Sequence, residues 1–142
     1  TEKDKTIATE MMQQIGIWHL KDKAFSQMSG GEQQLTIIAR ALTQQPTYIV
    51  MDEPTSALDF GNQLKVLQQV KALQSQDIGI ILSTHNPDHV FLCDSKVAVV
   101  KDHTIAALGT PDEVMTETLL KELYEVEIKI INQKNRKICF PL

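Results

Sequence analysis

The chain has 142 residues, enough for one compact domain with a sizeable core. Its 42% hydrophobic and 23% charged residues lie in the ordinary globular range, and a net charge of −4 gives no general attraction to nucleic acid or anionic lipid. No stretch approaches the roughly 18 apolar residues of a membrane helix, and the polar opening "TEKDKTIATEMMQQ" lacks the apolar core of a secretory signal.

The first residue is Thr1 rather than methionine, which suggests a processed chain or a piece of a longer one. Cys93 and Cys139 have no metal-like spacing and suggest no disulfide framework, so the expectation is buried free thiols in a reducing compartment.

In chain order, apolar residues at Ile7, Ala8, Met11, Met12 and Ile15 predict an amphipathic helix from Thr6 to about Ile17, ended by Gly16. "HLKDKAFSQ" reads as a charged connector. Leu35, Ile38, Ala39 and Leu42 follow the i, i+3, i+4, i+7 rule and predict a helix over Glu32–Thr43. "TYIVMD" (47–52) is a short apolar run rich in strand formers and predicts a strand buried on both faces. A helix from near Asp59 to about Gln74 follows, with Leu64, Leu67, Val70 and Leu73 inward. "IGIILST" (78–84) predicts a second buried strand, and Asn86-Pro87 opens a brief helix. "KVAVVK" and "TIAAL" predict two strands around Asp102-His103, and short helices start at Thr110-Pro111 and at Thr116. "EVEIKII" and "RKICFPL" flank Asn132–Asn135 as a C-terminal hairpin. Strand and helix alternate from residue 30 to about 100, which makes the class α/β with a largely parallel sheet.

Four stretches carry chemistry. "YIVMDEP" ends a hydrophobic strand in Asp52 and Glu53, where open parallel sheets gather their ligand sites. Asp52 suits Mg²⁺, commonly through water, and Glu53 could orient or deprotonate a water attacking a phosphate. Read alone, the stretch is equally an acidic strand end facing solvent. His85 in "STHNP" would leave the same sheet edge if the two strands are neighbours, where a neutral imidazole can contact a terminal phosphate. His19, His89 and His103 have no such placement and read as structural or solvent-exposed. Asp59 in "SALD" is the N-cap of the following helix and lies near enough to Glu53 to organise that edge.

"QMSGGEQQL" (27–35) is the fourth. Ser29 and Glu32 have the spacing of a capping box, in which each side chain bonds the other's amide. A box does not need Gly30 and Gly31, which expose backbone amides and allow close approach of a ligand. A helix N-terminus with bare amides and a hydroxyl is an anion site, and the two readings are compatible.

In this order the four resemble the motifs of ATP-binding cassette (ABC) proteins. Met28-Ser29-Gly30-Gly31-Glu32 resembles the family signature LSGGQ, "YIVMDE" the Walker B strand, "SALD" the D-loop and "STH" the switch histidine. The resemblance covers nearly the whole chain and implies part of a P-loop NTPase-like nucleotide-binding domain, a mostly parallel sheet flanked by helices. Residues 1–45 would belong to the helical subdomain with the signature, and residues 46–142 to the ATPase core with a C-terminal hairpin. It further implies ATP and Mg²⁺ as cofactors, with Asp52 serving the metal, Glu53 as general base and His85 at the γ-phosphate. Ser29, Gly30, Gly31 and Glu32 would face ATP held mainly by a second subunit, and Asp59 would communicate across that dimer.

Met28 and Glu32 depart from the consensus Leu and Gln, the first a volume-conserving change and the second a familiar variant. Gln34 stands where the family often has arginine. No GxxxxGK followed by Ser or Thr occurs, and no Q-loop or aromatic adenine platform precedes the signature. The family places these upstream, which implies the C-terminal portion of a longer cassette. The 142-residue chain by itself is therefore expected neither to hydrolyse ATP nor to bind it tightly. Calorimetry with Mg-ATP measures this, and a micromolar affinity would relocate the nucleotide contacts.

The tail "GTPDEVMTETLLKELYEVEIKI" is similar to importers for iron-siderophore, haem, cobalamin and related metal chelates, with molybdate or other small-solute importers as competitors. That resemblance implies a cytoplasmic subunit peripheral on the inner face of the membrane. Its partners would be transmembrane permease subunits and, indirectly, an extracytoplasmic solute-binding protein, with no nucleic acid. Two alternatives stand beside it: a non-transport cassette of DNA repair, chromosome maintenance or translation, and an inactive structural fragment. The first would be expected to bring a long heptad segment or basic surfaces, and neither occurs in this chain.

Overall fold

The computed structural model describes residues 1–142 as two compact units, residues 1–84 and 85–142. In the first unit, α1 (Glu2–Gln14) starts four residues before the apolar periodicity does. Thr1 caps it by accepting the Asp4 amide, with Asp4 returning the bond as the other half of a capping box. Gly16, at φ +78°, then turns the chain in a conformation that side-chain-bearing residues rarely adopt. The stretch after it is more than a charged connector. Ile15 and Ile17 are each 2% exposed, Leu20 is buried, and two 3₁₀ turns (Trp18–Leu20 and Phe25–Gln27) lead to the next helix.

The helix expected from Glu32 begins two residues earlier, so that α2 (Gly30–Leu42) takes both glycines into its first turn. It buries Ile38, Ala39 and Leu42. β1 (Tyr48–Asp52) and β2 (Gly79–Ser83) pair in parallel, with Tyr48 opposite Gly79 and Asp52 opposite Ser83. α3 (Phe60–Leu73) crosses between them and buries Val66, Leu67, Val70 and Leu73, whereas Leu64 is half-buried. Helices and ladder share one core of Ile15, Ile17, Leu20, Ile38, Leu42, Ile49, Met51, Val66, Val70 and Leu73, with Ile78, Ile80 and Leu82 packed on it.

Burial of the strands on both faces is corrected here. Ile49 and Met51 point into the core while Tyr48 and Val50 are 68% and 72% exposed, so the run is buried on one face only. An apolar run shows no alternation in sequence, and the alternation is imposed by where the helices lie.

In the second unit, α4 (Pro87–Cys93) is capped by Asn86, with proline in its first turn. β3 (Val97–Lys101) and β4 (Thr104–Gly109) form an antiparallel hairpin through Asp102 and His103, both at positive φ. Thr110 and Glu113 make a capping box for α5 (Pro111–Val114), and Thr116 caps α6 (Glu117–Tyr124). β5 (Ile128–Gln133) and β6 (Arg136–Pro141) close on Lys134 and Asn135, at φ +50° and +63°, the backbone of a tight two-residue hairpin turn. Met115, Leu120 and Ile128 form the core. Cys93 is buried and Cys139 half-buried, and neither is in a disulfide.

The α/β class holds. Parallel pairing, expected to dominate, is confined to β1–β2, since the other two ladders are antiparallel hairpins. No helix is long and apolar enough to cross a membrane.

Candidate functional site

The parallel register decides what surrounds Asp52. Because Asp52 lies opposite Ser83, the Ser83 hydroxyl donates to Asp52 Oδ1 in a short hydrogen bond. The same hydroxyl oxygen accepts the Glu53 amide at 2.9 Å. One serine thus ties together two consecutive acidic residues across the ladder. Glu53 has φ +42°, a left-handed conformation that is uncommon outside glycine and strained for a glutamate. It is held from the other side too: its carbonyl accepts the Ser56 amide at 3.2 Å and the Ser56 hydroxyl at 3.1 Å. Pro54 and Thr55 are buried beneath this turn.

Ser83 was not among the residues singled out from the sequence. Its only signal there is a hydroxyl ending an apolar strand, and its role depends on register, a tertiary property.

Asp59 caps α3 as expected. Its Oδ1 accepts the Asn62 amide at 3.0 Å, and its Oδ2 accepts the Asn62 side-chain amide at 2.6 Å. These bonds hold the Asp59 carboxyl below the usual carboxylate range.

The capping box at the head of α2 is present in full. The Ser29 amide donates to Glu32 Oε2 at 2.8 Å, and the Glu32 amide donates to Ser29 Oγ at 3.3 Å. Lys23 Nζ also donates to Glu32 Oε2 at 2.8 Å. Lys23 first, and the Ser29 amide second, hold the Glu32 carboxyl below its ordinary range. Glu32 is thereby engaged in shaping the helix entrance.

The two glycines differ. A Cβ on Gly31 would lie 2.5 Å from Asn62 Oδ1, so Gly31 is the seat on which α3 packs, with Asn62 fixed in turn by Asp59. A Cβ on Gly30 would meet the end of Leu58 at 3.2 Å and the Ala57 carbonyl at 4.0 Å, and Gly30 itself is exposed. The signature and "SALD" segments are therefore packed on each other within one chain. As the first two residues of a helix, both glycines have amides without an intrahelical acceptor.

A cleft of about 170 Å³ is lined by Gly30, Gln33, Glu53, Ser56 and Leu58. It places the expected base and the exposed glycine on one wall system. A larger cavity of about 330 Å³ is lined by Ser29, Gly31, Glu32, Asn62 and Lys65 among others.

His85 opens the second unit. Its side chain is exposed, and its carbonyl accepts the Tyr124 hydroxyl at 2.8 Å. His89 is buried, 3.2 Å from the Asn86 side-chain amide, and burial lowers its pKa; it serves the packing of α4. His19 and His103 are exposed. No group of three or more His, Cys, Asp or Glu side chains forms a metal cage. Asp52 is accordingly a single carboxylate with a hydroxyl beside it, a hard-oxygen donor set of the kind that suits a hydrated Mg²⁺ and not a thiolate metal.

A family profile described as "ABC transporter" matches residues 1–56. An uncharacterized ABC transporter ATP-binding protein of Haemophilus influenzae is 38% identical over 130 residues, covering 92% of this chain and 49% of that protein. A hemin import ATP-binding protein of Aliivibrio fischeri is 34% identical over 142 residues, covering 97% of this chain and 54% of its own length. Among solved structures, an inward-facing transporter assigned to the metal-chelate type superposes at a TM-score of 0.89 with 29% identity, covering all of this chain and 58% of the other. The chain spans about half the length of the curated relatives it matches.

Proposed function

Because this chain belongs to the ATP-binding cassette family, we propose that it is the C-terminal part of an ATP-hydrolysing subunit that drives import of a metal chelate such as a haem or iron complex. The observation that carries the reading is the Ser83 bridge. It ties Asp52 and Glu53 together at the ends of parallel strands, and Glu53 lines a cleft shared with Gly30.

In this reading Asp52 would hold Mg²⁺, and the Ser83 hydroxyl ties its carboxylate to the neighbouring strand end. The ion, when bound, supplies positive charge to the phosphate oxygens. Glu53 receives the proton of the attacking water, and its left-handed backbone directs the side chain away from the strand line. His85 contacts the γ-phosphate. Ser29, Gly30 and Gly31 present a hydroxyl and two amides to the phosphate of an ATP bound mainly by a second subunit, with Glu32 and Lys23 fixing that entrance. Asp59, through Asn62, keeps the α3 entrance seated on Gly31, which gives the dimer contact a rigid base. The phosphate-cradling glycine loop and lysine absent from these 142 residues would come from the rest of the subunit. Its partners would be a second such subunit and membrane permeases, against which it would sit peripherally on the cytoplasmic face.

Replacing Asp52 by Asn in the intact subunit tests the metal role. The carboxyl is lost and the shape kept, so half-maximal ATPase activity is expected to need about tenfold more Mg²⁺. An unchanged Mg²⁺ titration would remove Asp52 from the ion's shell.

A further inference from the structure

The entrance of α2 carries an electrostatic conflict. In the reading above it presents Ser29, Gly30 and Gly31 to a phosphate, yet Glu32 sits in the same first turn. A carboxylate suits the positive end of a helix dipole, but it repels the anion that this end would receive. We propose that Lys23 resolves the conflict as a charge-compensating residue: it neutralises Glu32 and so lets the phosphate of an ATP on the second subunit approach; this rests on the α2 entrance facing that phosphate.

Lys23 Nζ donates to Glu32 Oε2 at 2.8 Å, and the same oxygen accepts the Ser29 amide at 2.8 Å. The ammonium therefore meets the carboxylate at the atom that closes the capping box. The two side chains are 36% and 28% exposed, so water does not fully screen the pair. Lys23 is the largest influence on the Glu32 carboxyl and holds it below its ordinary range. Its negative charge is thus fully present at neutral pH and needs a partner. The adjacent Lys21 is paired with Asp22, so the two cations of the connector have separate partners. Lys65 lines the same cavity as Glu32 from α3 and stays unchanged in every variant below.

Nine positions separate Lys23 from Glu32, so the connector must fold back to join them. The Lys23 amide donates to the carbonyl of buried Leu20 at 2.9 Å. Gln33 Nε2 donates to the Phe25 carbonyl at 3.0 Å and to the Met28 carbonyl at 3.3 Å, which stitches the connector to α2. None of these bonds uses the Lys23 ammonium, and all are kept when it is removed.

The alternative is that Lys23 only staples the connector to α2. Charge and staple separate cleanly by substitution. Glutamine also completes a capping box, so Glu32→Gln removes the charge and keeps the cap. Lys23→Met removes the ammonium and keeps the apolar stem. Both variants and the double are made in the intact subunit, and Mg-ATP-dependent dimerisation is measured by light scattering. Lys23→Met leaves the Glu32 charge uncompensated and is expected to weaken dimerisation about tenfold, the effect of like charges roughly 8 Å apart at an effective dielectric of about 30. Its melting temperature is expected within about 2 °C of the parent, because a partly exposed pair adds little stability. In the double variant dimerisation is expected to return to within about twofold of the parent. A staple gives the opposite pattern, since Glu32→Gln replaces nothing that a staple supplied. Unchanged dimerisation of Lys23→Met, or a double variant that keeps the tenfold loss, overturns the proposal. Gly30→Asp, measured alongside, puts an unpaired carboxylate on the same turn. Normal dimerisation of that variant would overturn the underlying reading, whereas its failure beside an unaffected Lys23→Met would overturn the compensation alone.

Discussion

Glu53→Gln in the intact subunit is expected to bind ATP normally while turnover falls about 10²–10⁴-fold, the range over which a positioned general base contributes. The amide keeps the size of the side chain and one acceptor oxygen, exchanges the other for an NH2 donor, and cannot take a proton from water. The backbone contacts that hold position 53 involve its amide and carbonyl, so the Ser83 and Ser56 bonds persist in the variant. An ATP-bound dimer is then expected to accumulate, because nucleotide binding is retained and the step that consumes it is not. Gel filtration with Mg-ATP and a phosphate-release assay on the same preparation measure both halves. Near-normal phosphate release would exclude Glu53 as the base.

The second large effect concerns the exposed glycine at the head of α2. Gly30→Asp puts a carboxylate at the first helical position, where the helix dipole favours negative charge. Its Cβ meets the flexible end of Leu58 and stands at ordinary contact distance from the Ala57 carbonyl, so the fold is expected to tolerate it. Gly31 is unsuitable for this test, since any side chain there strikes Asn62 and disturbs the packing of α3. If Gly30 faces a phosphate held by a second subunit, the new charge repels it. Like charges at about 4 Å repel by roughly 4 kcal/mol at an effective dielectric of 20, close to a thousandfold in dimer closure. The intact variant is expected to melt like the parent and to bind ATP through its own P-loop. It should fail to dimerise or hydrolyse. Normal hydrolysis by the folded variant would leave the capping box as the whole role of this turn.

Much of the site is legible in the chain because its elements are local. The Ser29–Glu32 and Asp59–Asn62 caps span three residues each and form in the structure as sequence spacing implies. The two-residue hairpin at Lys134-Asn135 is likewise local. What the sequence does not carry is register and face. Ser83 matters because parallel pairing sets it opposite Asp52, and nothing within either strand states that pairing. The exposure of Tyr48 and Val50 depends on which side α1, α2 and α3 occupy, so an unbroken apolar run reads as buried throughout. The packing role of Gly31 is invisible in the sequence because its partner, Asn62, lies thirty-one residues away. The start of α1 was missed for the opposite reason: its first turn is polar and declares itself by a cap and not by periodicity.

The left-handed backbone at Glu53 has a consequence for laboratory evolution. A glycine at position 53 would adopt φ +42° without the steric strain a glutamate carries there. A library of this protein screened for heat resistance alone would therefore enrich glycine or asparagine at the residue proposed to take the proton. Screened for turnover, the same library would return glutamate. Divergence of the two winners at one codon would mark a site where the optimum for folding and the optimum for chemistry are different amino acids.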